Sequence, residues 1–210
     1  MPPGAFTPHP STPRLALILL ALTLALLTWS GIQPKDRVTW WLEVAPALAA
    51  MLLLAATYRR FPFTRLAYVL MFLHAALLIV GGHYTYAEVP LGLWVKDWLG
   101  LERNHYDRLG HFVQGFVPAI VAREVLLRLT PLRPGGWLAW IIVSMCTGIA
   151  ALYELLEWAV AEIDQSGSAA FLGMQGDIWD TQKDMALCAV GAAVALITLS
   201  RVHNRALRTG

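Results

Sequence analysis

Six long apolar stretches divide this chain, and most of its polar residues fall in short clusters between them. A helix needs about 20 mostly apolar residues to cross the hydrocarbon core of a bilayer. The pattern therefore predicts six spans, over residues 14–31, 40–58, 66–84, 108–129, 137–160 and 181–202. Pro10 and Pro13 precede the first span, and Gly31 and Pro34 follow it. Trp40, Trp41, Trp94, Trp98, Trp137, Trp158 and Trp179 fall at or just outside span ends. An amphipathic indole is stable there, with its body among acyl chains and its N–H among headgroups. The connection from Ala87 to Asp107, with Pro90 and two tryptophans, reads as an interfacial loop with a short surface helix. The Glu162–Asp180 connection is rich in Gly, Ser and Asp. Pro118 removes one backbone bond from the fourth span and is expected to kink it.

Composition agrees with the pattern. Of 210 residues, 57% are hydrophobic and 14% charged, against about 25% charged in an average soluble domain. A soluble chain of this size could not hide so much apolar surface in one core, so lipid is its expected solvent. The fold class is all-α, a bundle of six membrane helices forming one integral membrane domain over residues 1–210. The first span, with Thr28 and Ser30 as small residues near its end, reads as an uncleaved anchor rather than a signal peptide. Cys146 and Cys188 lie inside apolar runs and read as small core residues. Gly191 with Ala195, and Ala189 with Ala193, offer small-residue faces for close packing in the last span. No Walker loop, dinucleotide fingerprint or zinc-finger spacing is present, and nothing indicates a nucleic-acid partner.

Charge sets the expected orientation. With the N-terminus cytoplasmic, Arg14, Arg59, Arg60, Arg65, Arg123, Arg128, Arg133, Arg201, Arg205 and Arg208 lie inside. Lys35, Arg37, Lys96, Arg103, Arg108 and Lys183 lie outside, a split of ten to six that places both termini in the cytoplasm. The acids sort more sharply: Glu124 is inside, and the other 13 of 14 lie outside or at the outer ends of spans.

Four segments concentrate that polar material. The third span ends at Gly81-Gly82-His83, and the fourth begins with Asp107, Arg108 and His111. The fifth ends with Tyr153, Glu154 and Glu157, and the last begins with Asp177, Asp180, Gln182 and Asp184. Asp107 and His111, four apart, share a helix face, as do Glu154 and Glu157, three apart. Alternating span direction puts all four segments at one membrane depth, and buried ionisable groups usually face a bundle interior or a watery cavity. Asp107 could instead cap the fourth helix, and Thr181 with Asp184 has the spacing of a capping box. The glutamate pair is harder to dismiss, because negative charge near a helix C-terminus is unfavourable. His111, Glu154, Glu157 and Asp107 are the candidate catalytic acids and bases. Arg108, Tyr153 and Gln182 are candidates for substrate binding, and His83, His111, Asp180 and Asp184 for a divalent metal such as Zn, Mn or Fe. His74, mid-span, reads as a packed, hydrogen-bonded histidine, and His203 is terminal and uninformative.

The blocks RVTWWLE near Trp40, GGHYTYAEVPLG from Gly81, YDRLGHFVQGFVPA from Tyr106, YELLEW from Tyr153 and GDIWDTQKDM from Gly176 resemble the YjdF family of bacterial inner-membrane proteins. The resemblance runs from about Gln33 to His203 and implies a multispan inner-membrane protein, but brings no activity with it. A weaker resemblance reaches the VanZ-like proteins, through Asp107-Arg108-Leu109-Gly110-His111-Phe112, a later Glu154 or Glu157, and Asp180 or Asp184. Here Arg108 replaces that family's Lys, and Leu155 stands where a Gln often follows the Glu. Three functions are compatible with these residues. They are a site at the outer leaflet that binds or processes a lipid-linked envelope molecule, a proton-coupled transporter or channel, and a non-catalytic scaffold locked by its charges.

Overall fold

The computed structural model describes residues 12–163 and 175–209. It contains helices α1 (Thr12–Gly31), α2 (Arg37–Thr57), α3 (Arg65–Tyr84), α4 (Pro90–Leu99), α5 (Tyr106–Leu129), α6 (Gly136–Ile163) and α7 (Asp180–Thr209), with a 3-10 turn at Tyr86–Glu88. Among the described residues there is no strand. Part of the Glu162–Asp180 connection lies outside the described residues.

Five helices, α1, α2, α3, α6 and α7, are long and apolar enough to cross a membrane. The sixth long helix, α5, has 24 residues, about 36 Å at 1.5 Å per residue. It carries charged and polar residues along its length and is enclosed by protein: α3, α6 and α7 all pack on it, and α7 most extensively. Polar groups that would be costly against lipid can therefore be met by protein. The helix runs through Pro118 without a break.

Local sequence explains the helix ends. Asp36 caps α2 by accepting from the Thr39 amide at 2.7 Å, and Thr64 caps α3 by accepting from Ala67 at 3.3 Å. Pro90 opens α4, where its missing N–H costs nothing, and Gly100 closes it in the left-handed region. The short surface helix expected between Ala87 and Asp107 is this one. None of its residues is buried, and Trp94 and Trp98 stand fully outward.

Two packing units meet along α3 and α5. In the first, α1 and α2 both pack on α3. Trp40 joins all three helices, because its Nε1 donates to Ser30 Oγ at 2.8 Å and Ser30 Oγ donates to the Ile79 carbonyl at 2.8 Å. Trp40 is thus a core residue, while Trp41, Trp94, Trp98, Trp137, Trp158 and Trp179 are exposed, as interfacial rings should be. The second unit is α5, α6 and α7 around Ala119, Ile120, Leu138, Ile142, Cys146, Cys188, Ala192 and Ala195. Both cysteines are free and buried, with Cys188 Sγ directed at the Cys146 carbonyl at 3.4 Å.

The α5–α7 contact is backbone to backbone. A Cβ at Gly115 would lie 1.8 Å from the Cys188 carbonyl oxygen, and one at Gly191 would lie 2.0 Å from that of Phe112. The Gly191–Ala195 face forms this contact, whereas Ala189 and Ala193 are only half-buried. Small residues let helix backbones approach this closely where the surrounding lipid offers no hydrophobic drive for association.

The bundle has two polar ends. At the end holding Arg14, Arg59 and Arg60, Glu124 is fully buried and satisfied. It accepts from the Thr64 amide at 2.9 Å, Thr64 Oγ1 at 2.8 Å and Arg128 Nη1 at 2.9 Å, and pairs with His203 Nε2 at 3.0 Å. Arg123 extends the network to His203 Nδ1 at 3.0 Å and Asn204 Oδ1 at 2.6 Å. His203, near the end of the chain and uninformative in the sequence, is completely buried. Mid-bundle His74 has no hydrogen-bond partner for its buried Nε2 among the described residues.

Candidate functional site

The other end carries the acids. Six carboxyl groups come together there from four helices: Glu43 on α2, Asp107 on α5, Glu154 and Glu157 on α6, and Asp180 and Asp184 on α7. Glu43, Glu154, Glu157, Asp180 and Asp184 are each under a tenth exposed. The positive groups among them are Arg103, Arg108 and, when protonated, His111.

Helix geometry explains the convergence. Each residue lies within about two and a half turns of the helix end on this side of the bundle, the N-terminus of α2, α5 and α7 and the C-terminus of α6, and the i, i+4 pair on α5 points both side chains inward. His111 Nε2 lies 3.6 Å from Asp107 Oδ1 and 3.5 Å from Glu154 Oε1. One ligating atom from each of Asp107, His111 and Asp184 can be chosen so that all three lie within 4.8 Å of one another. Asp184 Oδ1 and Glu154 Oε1 are buried without a hydrogen-bond partner among the described residues. Glu157 lies close enough to Glu154, Asp107, Glu43 and Asp184 to be repelled by all of them.

The arginines sit at the mouth. Arg103 makes a close two-pronged pair with Asp180 and lies 3.8 Å from both Asp107 and Asp177. Burial opposes its charge, but Asp180 outweighs burial and holds the guanidinium above its ordinary range. Arg108 pairs with Asp177 at 2.5 Å and reaches Asp180 at 3.7 Å, so its partner is the α7 approach and not Glu157. Lys183 also binds Asp177 at 2.5 Å, and Lys183 and the Trp179 amide hold that carboxyl below its usual range. His105, nearby, is pushed down by burial and by Arg108 and Arg103.

Asn104 fixes the loop that presents Arg103. Its Nδ2 donates to the Ala87 and Val89 carbonyls at 3.0 and 3.1 Å, and its Oδ1 accepts from the Tyr106 amide at 2.9 Å. Gly92 leaves the space for it, since a Cβ there would lie 1.9 Å from Asn104 Oδ1. Asn104 therefore satisfies the start of α5, a role the sequence offered to Asp107.

The other expected residues divide between the edge of the cluster and positions away from it. His83 is engaged by α1: its Nδ1 meets the Ser30 carbonyl at 2.9 Å, and its ring lies 4.5 Å from that of Trp29. It is outside the Asp107–His111–Asp184 group. Asp180 is likewise outside that group and bound to Arg103. Gln182 is exposed, because a residue two positions from both Asp180 and Asp184 faces away from them. Asp177 precedes α7 and faces the mouth rather than continuing the Asp180–Asp184 face. Tyr153 is half-buried and its hydroxyl approaches Glu43.

Glu43 and Arg103 are the members that sequence reasoning missed. Glu43 carried a signal, being an acid two turns inside an apolar span. It reaches the cluster because Gly82 gives it room, with the Glu43 Cβ only 3.1 Å from where a Gly82 Cβ would be. Arg103 carried none, since only the folded loop brings it to Asp180.

Comparison with known proteins agrees with this architecture. The family described as "Predicted membrane protein (DUF2238)" matches residues 15–205. The "Inner membrane protein YjdF" of Escherichia coli (strain K12) is 51% identical over 189 residues, covering 90% of each chain. No solved structure matches.

Proposed function

This chain belongs to the DUF2238 family of multi-pass inner-membrane proteins, and from that premise we propose that its buried His/carboxylate cluster is a divalent-cation or acid/base site. It works at the extracytoplasmic end of the bundle on a lipid-linked molecule of the cell envelope. The observation that carries this reading is the excess of clustered carboxyl groups, six of which five are buried, against two guanidinium groups and one imidazole, with Asp184 Oδ1 and Glu154 Oε1 left without donors among the described residues. Buried carboxylates without compensation are strongly unfavourable. Protons or a metal ion would relieve that repulsion.

Asp107, His111 and Asp184 supply two oxygens and one imidazole nitrogen, a donor set that suits Zn, Mn or Fe. A tetrahedral ion with ligands ~2.1 Å away has donors ~3.4 Å apart, so the three side chains would close by about an ångström around it. Glu154, 3.5 Å from His111, is placed to move a proton to or from a bound molecule. Arg103 and Arg108 at the mouth would attract an anionic headgroup. The depth of the cluster, from the first turn to about two and a half turns inside the helix ends, favours a substrate with its tail in lipid and its headgroup at the boundary. The lysine and arginine distribution supports placing this end outside the cytoplasm and both termini inside.

The transporter reading has less support. Between the two polar ends, α5, α6 and α7 are closed by Ala119, Ile120, Ile142, Cys146, Ala192 and Ala195, all at most 2% exposed.

Elemental analysis and thermal unfolding of the purified protein, with and without added Mn²⁺ or Zn²⁺, test the cation reading. The wild type should be stabilised by one of these ions, and His111→Ala and Asp184→Asn should lose that response while Gln182→Ala keeps it. Lipid mass spectrometry of cells carrying Glu154→Ala tests the substrate reading. A folded Glu154→Ala protein with unchanged envelope lipids, together with absence of any ion response, would sink the proposal.

A further inference from the structure

A second recess lies at the opposite end of the bundle and on its lipid-facing flank. Helices α1 and α2 both pack on α3 and hardly on each other, which leaves a cleft of about 300 Å³ between them. Its walls are almost wholly apolar and include Ala16, Leu20, Ala50, Leu54, Met71 and Phe72. The alanines create the space, and the rim residues Leu17 and Leu20 face outward. Two of its polar groups are already used, because Thr23 donates to the Leu19 carbonyl and the Tyr68 hydroxyl accepts from the Phe63 amide. The Tyr58 hydroxyl has no hydrogen-bond partner among the described residues.

Tyr58 marks the polar end of the cleft. Arg59 and Arg60 follow it directly, and Arg14 lies two residues before the wall residue Ala16. All three arginines are exposed. Among the described residues none of them has an acid within ion-pair distance. An apolar slot open sideways to lipid, with one hydroxyl and three cations at its end, matches one acyl tail joined to one anionic headgroup.

We propose that this cleft seats an acyl chain of an anionic glycerophospholipid, with its phosphate held by Arg14, Arg59 and Arg60 and hydrogen-bonded by Tyr58. Lipid tails are as apolar as the cleft, so the tail gains contacts rather than escape from water. Selectivity therefore comes from the headgroup, where each arginine near an anionic surface adds attraction. This site is independent of the carboxylate cluster at the other end.

Native mass spectrometry of the full chain tests the proposal. The protein is released from nanodiscs holding equal phosphatidylglycerol and phosphatidylcholine with identical acyl chains. Retained phosphatidylglycerol should exceed phosphatidylcholine on the order of tenfold, given roughly additive attraction from several arginines. The Ala50→Phe side chain fills the cleft and should abolish retention, whereas Leu53→Phe, on the same helix but outside the cleft, should not. Ala55→Phe, at another cleft position, repeats the test if Ala50→Phe fails to fold. Arg59→Gln with Arg60→Gln should bring the two lipids to equal retention. Equal retention of both lipids by the wild type would overturn the proposal. So would retention unaffected by either cleft-filling variant, or displacement of the lipid by inorganic phosphate alone, which would mark a simple anion site.

Discussion

Substituting Gly115 with alanine adds one methyl group where two helix backbones touch. That methyl would lie 1.8 Å from the Cys188 carbonyl oxygen, 2.7 Å from its carbon and 2.9 Å from the Ala192 nitrogen. All three obstacles are backbone atoms, so no side-chain rotation relieves them. Restoring an ordinary separation of about 3.4 Å requires α5 and α7 to part by roughly 1.6 Å, along the most extensive contact in the bundle. Overpacking of this kind costs about 1–3 kcal/mol, or roughly 2–12 °C in melting temperature at 2–4 °C per kcal/mol for a chain of this size. The same movement carries Asp107 and His111 on α5 away from Asp184 on α7, so any ion response should weaken along with stability. Thermal unfolding of the detergent-solubilised protein measures the first effect, and the ion-induced shift measures the second. Gly148→Ala is the control, because its added methyl meets nothing within 4 Å and removes backbone freedom in a helix. A Gly115→Ala protein as stable as the Gly148→Ala protein would refute the close-approach argument.

Other outcomes follow from the same contacts. Glu124→Ala leaves Arg128 and His203 without their buried carboxylate, and should cost about 3–5 kcal/mol in thermal unfolding, whereas exposed Arg133→Gln should cost little. Trp40→Phe removes the donor to Ser30 Oγ and should cost about 1 kcal/mol beyond any lost packing, while Trp41→Phe, on an exposed ring, should be nearly silent in the same assay. The Asp177 carboxyl is held below its usual range by Lys183 and the Trp179 amide. Its contribution is present above the unfolded value, near pH ~4, and is lost as pH falls through the lower folded value. Acid unfolding followed by intrinsic fluorescence should show a shallower loss in Lys183→Gln, and an unchanged profile would disconnect that pair from stability.

Much of this protein was legible in the order of its residues. A bilayer forces backbone polar groups to be satisfied within each segment, so long apolar runs became helices largely where hydropathy placed them. The indoles at span ends followed from the same solvent argument, with Trp40 as the exception. Periodicity also placed side chains on common faces within each helix, Asp107 with His111 and Glu154 with Glu157. It could not choose partners between helices. Gly115 and Gly191 decide which faces of α5 and α7 meet, and that contact brings Asp184 to His111. His83 has the right residue type and depth for the site, yet Ser30 on α1 engages it. Glu43 joins because Gly82 leaves space beside it, and Arg103 joins because Asn104 folds its loop inward. Glu124 and His203 lie 79 positions apart, and only tertiary packing turns two distant residues into one buried pair. The sequence determined the spans, the depth of the acids and the face each presents, because solvent and helix geometry act locally. Tertiary structure alone decided which carboxylates share a cavity, because that depends on contacts between distant segments that no local pattern encodes.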